Sequence, residues 1–340
     1  MMYSMVGLSL GATLLESWEI GESIKRKIHL RSDEKVLIMS DDIFRPNTVL
    51  HMEVLDYVIK TVGRDNVIIV VASGMHRAST LQEIESKFSA KLDGIRLYRN
   101  SPLVSFPFAD FSEYTRISIG TIMPHIFVKR SGGGKVVVPG LTSVTGAINF
   151  HKLTRSEAVR YIRRIERGID YVVSGVINRL GEVVNIVIND IPVRLSEERM
   201  SKYNFGVILD EPADVVVLEP LFKNGDFMQA MNVLRLCKYN IVNDGGTICI
   251  KCSPKDGIGV HYIFQQVNGI KPAKFDVAFS ELIGDRKLAV ICPTISRLQI
   301  DECFEKPITH YKTPFDLYDN RTNLKVSHYL GADVMLPQGE

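Results

Sequence analysis

Lys35-Val-Leu-Ile-Met39, then Asn47 to Val62, then Asn66-Val-Ile-Ile-Val-Val71 read in that order as strand, helix and strand. The two outer runs are continuously apolar, as in strands covered on both faces. The segment between them places Val49, Met52, Leu55, Val58 and Ile59 at helical spacing. Thr80-Leu-Gln-Glu83 has the form of a capping box and predicts a helix running toward Leu92. Further along, Glu157 to about Leu180 reads as helix and Val183 to Ile188 as strand. Ala213 to Leu218, Phe227 to about Tyr239, and Gly246 to Cys252 repeat the strand–helix–strand order, and Leu288 to Cys292 adds a strand. Such alternation predicts an α/β protein with mostly parallel sheets flanked by helices. The 340 residues are too many for one comfortable core. The polar stretch Ser196 to Asn204 is the expected boundary between a catalytic domain over 1–200 and a second domain over 201–340, with the active site in the cleft between them.

The bulk numbers exclude several classes. A formal net charge of +2 is too small for a general phosphate-backbone binder, and the basic stretch Lys152 to Arg167, interrupted by Glu157 and Glu166, reads as a solvated helix face. No nucleic-acid partner is expected. The 5 cysteines are irregularly spaced, which argues for a reducing compartment rather than a disulfide framework. Cys249-Ile-Lys-Cys252 falls in a strand-like run without a second pair, and is read as structural rather than as a metal or redox motif. The apolar stretch Met5 to Leu15 is too short to span a bilayer and is read as core. With no run of membrane length, the expected address is the cytoplasm.

Unusual chemistry is concentrated in four short segments. Asp41-Asp42-Ile-Phe-Arg45-Pro46 follows the first strand, and an Arg at a strand end can grip a carboxylate in bidentate fashion. A plain surface salt bridge between Asp42 and Arg45 is the alternative. Ala72-Ser-Gly-Met-His76-Arg77 follows the second strand; Gly74 allows a tight turn and His76 can exchange protons near neutral pH. The third segment holds Pro124-His125, Ser131-Gly132-Gly133-Gly134-Lys135 and Pro139-Gly140. Its consecutive glycines could present backbone N–H groups to a phosphate, or could simply make a flexible hairpin turn. It is no Walker A loop, because Lys135 is followed by Val136 and Lys stands at 129. The fourth segment is Asn149-Phe-His151-Lys152.

Asp-x-x-Arg-Pro, Gly-x-His-Arg, Pro-His, Ser-Gly-Gly-x-Lys and a downstream His occur here in the order found in the nickel-dependent lactate racemases, and over Val36 to Leu153 the chain resembles that family. The ten-residue step from His125 to Lys135 and the sixteen-residue step to His151 also match. A fainter likeness runs from Ala213 to Phe264 through Gln229, Gly245-Gly246 and Asp256-Gly257-Ile-Gly259. The resemblance implies a racemase or epimerase of a 2-hydroxy acid that works by proton-coupled hydride transfer. It implies a nickel-pincer nucleotide, a pyridinium-3,5-bisthiocarboxylic acid mononucleotide holding nickel, joined covalently to Lys135 and supplied by cofactor-synthesis enzymes. By the same resemblance His151 is the protein's ligand to the metal, and His76 and His125 are the acid/base pair. Arg45 orients the substrate, Asp42 supports that motif, Ser131 and Gly132, Gly133 and Gly134 approach the cofactor phosphate, and Gln229 and Asn232 face the substrate.

Several positions depart from the family. Phe44 stands where Thr is frequent, Gly134 where Arg is frequent, Asn232 where a substrate-holding Lys is expected, and the sole tryptophan is Trp18. These changes point away from lactate itself, toward another 2-hydroxy acid or an epimerisable sugar acid. Two other readings are a nucleotide- or organic-anion-binding relative without nickel chemistry, and a zinc hydrolase built from His76, His125, His151 and Asp42.

Overall fold

A computed structural model describes residues 2–7, 13–46, 48–74, 76–100, 103–125, 128–178, 180–189, 206–259, 274–317 and 324–337. Contacts divide the chain into two compact units, Gly11–Ser196 and Met1–Leu10 together with Glu197–Glu340. The second unit therefore takes the first strand, β1 (Met2–Gly7), away from the domain of 1–200 expected from sequence. That exchange also corrects the reading of Met5 to Leu15 as core. Val6 is buried, but Met5 and Leu14 are exposed, and 8–12 lie outside the described residues. The predicted boundary stretch, Ser196 to Asn204, also lies outside them.

The Gly11–Ser196 unit is built on a six-stranded sheet. Its strands are β2 (Val36–Ser40), β3 (Val67–Val71), β4 (Arg96–Arg99), β5 (Thr115–Ile122), β8 (Tyr171–Ile177) and β9 (Val183–Ile188), in the order β4-β3-β2-β5-β8-β9. All neighbours are parallel except β8 and β9. A short antiparallel hairpin, β6 (Pro124–His125) and β7 (Lys129–Arg130), rises beyond β5.

The continuous apolar runs are explained by the two faces of this sheet. Val36 and Ile38 pack with Val67 and Ile69 under α1 (Ser17–Lys27), α2 (Thr48–Val62) and α3 (Leu81–Phe88). Leu37, Met39, Ile68 and Val70 point the other way, against Val136, Val138, Leu141, Phe150 and Ile162. Val136 ends a 3-10 turn at Gly133–Val136, Val138 and Leu141 belong to the turn that follows it, Phe150 to α4 (Val144–His151) and Ile162 to α5 (Arg155–Glu166). Each strand residue alternates sides, so both sets are fully buried.

Helix starts are where the local chemistry puts them. Thr80 caps α3, with Glu83 closing the capping box, and Thr154 caps α5 with Glu157 in the same role. The helix expected from Glu157 to about Leu180 is corrected: it ends at Glu166, and β8 occupies Tyr171–Ile177. Gly168 donates to the Ile165 carbonyl and closes the last turn, after which Tyr171-Val-Val-Ser favours extended backbone.

The second unit carries its own six-stranded sheet, entirely parallel. Besides β1 it contains β11 (Ala213–Glu219), β12 (Val242–Lys251), β13 (Lys287–Ile291), β14 (Thr309–Tyr311) and β15 (Lys325–Leu330), in the order β1-β15-β11-β12-β13-β14. A separate pair joins β10 (Gly206–Val207) to β16 (Leu336–Pro337). Val215, Val217, Cys249, Ala289, Ile291 and Val326 share one apolar core here. The helix expected from Phe227 to Tyr239 is a single α-turn, Phe227–Ala230, continued by 3-10 helix through Met231–Tyr239. Among the described residues no helix is long and apolar enough to cross a membrane.

Candidate functional site

The first three chemical segments follow the carboxyl ends of β2, β3 and β5, the edge where parallel α/β sheets hold ligands, and the fourth ends α4. The first is an Asx turn. The Asp42 carboxylate accepts from the Phe44 N–H at 3.0 Å and faces the Arg45 guanidinium at 3.4 Å, with both side chains largely buried. The pair is therefore not the surface salt bridge that the spacing alone allowed.

Beneath this turn lies a group of side chains that sequence reading did not single out. Asp41 is buried, with its carboxylate 2.7 Å from the Lys87 ammonium, 3.3 Å from His51 and accepting the Thr121 N–H at 2.8 Å. Burial alone would raise the Asp41 carboxyl; Lys87 and His51 together overcome this and hold it far below the ordinary carboxylate range. The same Lys87 ammonium donates to the carbonyls of Asp42 and Arg45, each at 3.0 Å. One buried cation thus fixes both ends of the Arg-bearing turn. In sequence Lys87 is only a charged residue near the end of an amphipathic helix, and nothing local marks it.

Ser73, Gly74 and His76 form the second segment. Gly74 adopts a positive φ of 53°, and the His76 N–H donates to the Ser73 carbonyl at 2.8 Å, so the tight turn expected here is present. The His76 side chain is buried and packs on Phe44, with ring centroids 4.7 Å apart. Phe44, which departs from the family's Thr, is therefore one wall around the imidazole. The turn is tied to the third segment as well: Ser73 and Gly74 donate their N–H groups to the Gly140 carbonyl at 3.1 and 2.8 Å. Buried Asn100 supports both sides, donating to Ser73 Oγ at 2.7 Å and to the same carbonyl at 3.4 Å.

His125 ends β6. Its Nδ1 accepts the Val128 N–H at 3.4 Å. Ser131 is engaged within the protein. Its hydroxyl donates to the Thr121 carbonyl at 2.6 Å and accepts from the Met123 N–H at 3.0 Å. The glycines are neither a flexible hairpin nor an open cradle. Gly132 and Gly133 take positive φ and open the 3-10 turn, and Gly134 donates its N–H to Glu166 at 2.9 Å. A Cβ at Gly134 would stand 2.8 Å from the Ile162 carbonyl, so this backbone is pressed directly on α5. Ser131 and Gly134 thus have protein partners in place of the phosphate contact the resemblance implies.

Lys135 follows in the same turn and is partly exposed. It lies close enough to His151, the last residue of α4, for its charge to act on the ring. His151 is pushed down to about 4, first by desolvation among surrounding protein atoms and then by the Lys135 cation; a hydrogen bond to the Ala147 backbone acts in the opposite direction. The ring itself remains reachable by water. It is thus a neutral imidazole at physiological pH. The neutral form is the one in which an imidazole can ligate a metal.

Gln229 and Asn232 belong to the other unit. Asp226 caps the short helix by accepting the Gln229 N–H at 2.8 Å, and the Asn232 amide donates to the Gln229 carbonyl at 2.8 Å. Phe227 and Met228 donate to the carbonyls of Gly257 and Ile258, which brings two parts of the fainter likeness side by side. A cavity of about 590 Å³ between α4 and α5 is lined by Phe150, Leu153, Arg160, Tyr161 and Arg164, among others; Arg45, His76, His125, Lys135 and His151 are not part of its wall. Among the described residues no three His, Cys, Asp or Glu side chains are grouped to hold a metal, so the zinc arrangement of His76, His125, His151 and Asp42 has no geometry to rest on.

Residues 20–101, which carry the Arg45 and His76 segments, match the family model described as the lactate racemase N-terminal domain. The lactate racemase of Thermoanaerobacterium thermosaccharolyticum is 26% identical over 270 residues, which cover 66% of this chain and 61% of that protein. The chain thus spans about three fifths of the length of the curated relative it matches. The structure of the lactate racemase apoprotein from the same organism superposes with a TM-score of 0.72 at 16% identity, covering 98% of this chain and 94% of that one. A crystal structure of a protein from Thermotoga maritima gives a TM-score of 0.67 at 14% identity over 97% and 99% of the two chains. Residues 20–101 are thus similar to the lactate racemase N-terminal domain, and the chain as a whole shares the α/β fold of the lactate racemase apoprotein.

Proposed function

We propose that the protein racemises or epimerises a 2-hydroxy acid, with a nickel-pincer nucleotide carried on Lys135. The observation that carries this reading is the nearness of Lys135 to His151, which places a lysine cation beside an imidazole kept neutral. The residues present fit such a group. Lys135 would tether it, and His151 would offer an imidazole nitrogen to a nickel ion, for which imidazole is a suitable ligand. When bound, the metal–carbon centre supplies a reversible acceptor for the hydrogen on the substrate's α-carbon.

This chain's side chains provide the rest. The α C–H of a 2-hydroxy acid is too weak an acid for an imidazole to deprotonate directly, but the hydroxyl proton can be moved as that hydrogen departs. His76 and His125 exchange this proton, one taking it as a neutral imidazole and the other returning it as an imidazolium. Arg45, held on the turn that Lys87 anchors, grips the carboxylate through its planar fork. Phe44 against His76 keeps water from one side of that imidazole and narrows the room for substrate. Asp42 keeps Arg45 in place.

The test is a panel of chiral 2-hydroxy acids incubated with cofactor-loaded enzyme in deuterated water. Loss of optical activity with the α-hydrogen retained is expected. Replacement of that hydrogen by deuterium would overturn the hydride route, and inertness toward the whole panel would overturn the substrate class.

A further inference from the structure

Two thiols from neighbouring strands meet at the carboxyl edge of the second sheet. Cys252 directly follows β12 and Cys292 directly follows β13. These strands are parallel, with Lys251 paired to Ile291, so the next residues, Cys252 and Cys292, stand side by side on one face. The ladder persists to this point, because the Cys252 N–H donates to the Ile291 carbonyl at 2.9 Å. Neighbouring strands lie about 4.8 Å apart, inside the Cα separation of roughly 4.4 to 6.8 Å that a disulfide spans. The Cys252 thiol donates to the Cys292 sulfur, and both cysteines are free.

Their surroundings differ. Cys292 is partly exposed, and its sulfur lies 3.7 Å from Thr294 Oγ1 and receives the N–H groups of Thr294 and Ile295. Hydrogen bonding from Cys252 first, then from these donors, outweighs burial and lowers the Cys292 thiol to about 6. Cys252 is buried and held as a thiol by its bond to Cys292, by burial and by nearby negative charge that includes Glu219. Glu219 is itself fixed by Lys251 and His328, each at 2.8 Å. Cys249, the other half of the CxxC read from sequence, is part of the apolar core with Val215, Val217 and Ala289. The chemically meaningful pair therefore crosses strands.

We propose that Cys252 and Cys292 form a redox-active dithiol, in which a peroxide oxidises Cys292 and Cys252 resolves it to a disulfide. The Cys292 thiolate attacks one peroxide oxygen; an S–O bond forms, the O–O bond breaks, and the departing hydroxide takes a proton to leave as water. The Cys252 sulfur then attacks the sulfenic acid; the S–S bond forms, the S–O bond breaks, and the thiol proton leaves with the hydroxyl as a second water. Two thiols and one hydrogen peroxide thus yield one disulfide and two waters, and a dithiol reductant restores the pair by exchange.

The test uses the full chain treated with hydrogen peroxide, quenched with N-ethylmaleimide in denaturant and mapped by tryptic mass spectrometry. Cleavage after Lys251 puts Cys249 and Cys252 on separate peptides. The expected product is a cross-link between the Cys252 and Cys292 peptides, released by dithiothreitol, with Cys237, Cys249 and Cys303 still alkylated. In native protein at pH 7, iodoacetamide should modify Cys292 at least about tenfold faster than the other thiols. In a Cys252→Ser variant dimedone should trap sulfenic acid at Cys292 with no cross-link. The wild-type map decides even where that variant does not fold. Recovery of Cys252 and Cys292 as fully alkylated as the buried thiols, or oxidation of Cys292 to sulfinic acid beside a reduced Cys252, overturns the proposal.

Discussion

The Lys87 ammonium lies 2.7 Å from the Asp41 carboxylate inside the first unit, and the same nitrogen holds the carbonyls of Asp42 and Arg45 at 3.0 Å. A helix from one part of the chain thereby fixes the turn that presents Arg45. Removing Lys87 leaves Asp41 buried with its main counter-charge gone, a change that typically costs about 3–5 kcal/mol. Lys87→Met is expected to lower the urea midpoint strongly and to raise KM in the variant that remains folded. Unfolding curves and steady-state kinetics check both, and a stability close to wild type would remove Lys87 from this role.

Asp41 also sets an acid dependence. Its folded-state carboxyl is depressed relative to the unfolded chain, whose Asp titrates near about 3.9. The sign follows: above that value both states are ionised and the stabilisation is complete, and it is lost as pH falls below it, where the unfolded chain takes up a proton that the folded protein resists. Stability measured by denaturant titration should decline below about pH 4. In Asp41→Asn, less stable at neutral pH, this slope should flatten.

Gly134 tests how tightly the lysine-bearing turn sits on α5. An Ala there places a methyl 2.8 Å from both the Ile162 carbonyl and the Glu166 side chain, so the turn must lift. Overpacking of this kind costs about 1–3 kcal/mol. Gly134→Ala should lower the melting temperature and disturb the Lys135–His151 pairing, seen as a changed His151 titration. Gly245→Ala meets no atom within 4 Å but sits at a φ of 68°, and should show backbone strain without that second effect.

Much of this was legible in the amino-acid sequence, and the remainder has physical reasons. The buried strands Val36–Ser40 and Val67–Val71 announce themselves because both faces are covered, and Thr80 and Glu83 announce their helix because capping is local. The strand at Tyr171–Ile177 was obscured by the strong helical period just before it. The passage of Met2–Gly7 into the second sheet depends on pairing with Lys325–Leu330, across almost the whole chain. Arg45, His76, His125 and Lys135 are marked by their residue types after strands or beside glycines, and His151 only by the family resemblance. Lys87, His51 and Asn100, which support those segments, could not, because their partners lie far away in sequence. The Cys252–Cys292 pair was hidden for the same reason, since a nearer cysteine in CxxC spacing drew attention to the wrong partner.

His151 gives a direct reading of the amine beside it. Its imidazole titrates at about 4, held down by desolvation and by Lys135. Lys135→Gln removes the cation but leaves the surroundings, so the midpoint should rise while staying below the ordinary histidine value near about 6.5. Histidine NMR titration of the two proteins measures it, and identical midpoints would separate the two side chains.

Lys135 is the proposed carrier of the nickel-pincer nucleotide. The most direct measurement is the mass of the Lys135 peptide from protein co-expressed with cofactor-making enzymes. A covalent nucleotide adduct on Lys135, accompanied by nickel and absent from Lys135→Arg, is predicted. An unmodified Lys135 in protein that nonetheless racemises a 2-hydroxy acid would contradict it.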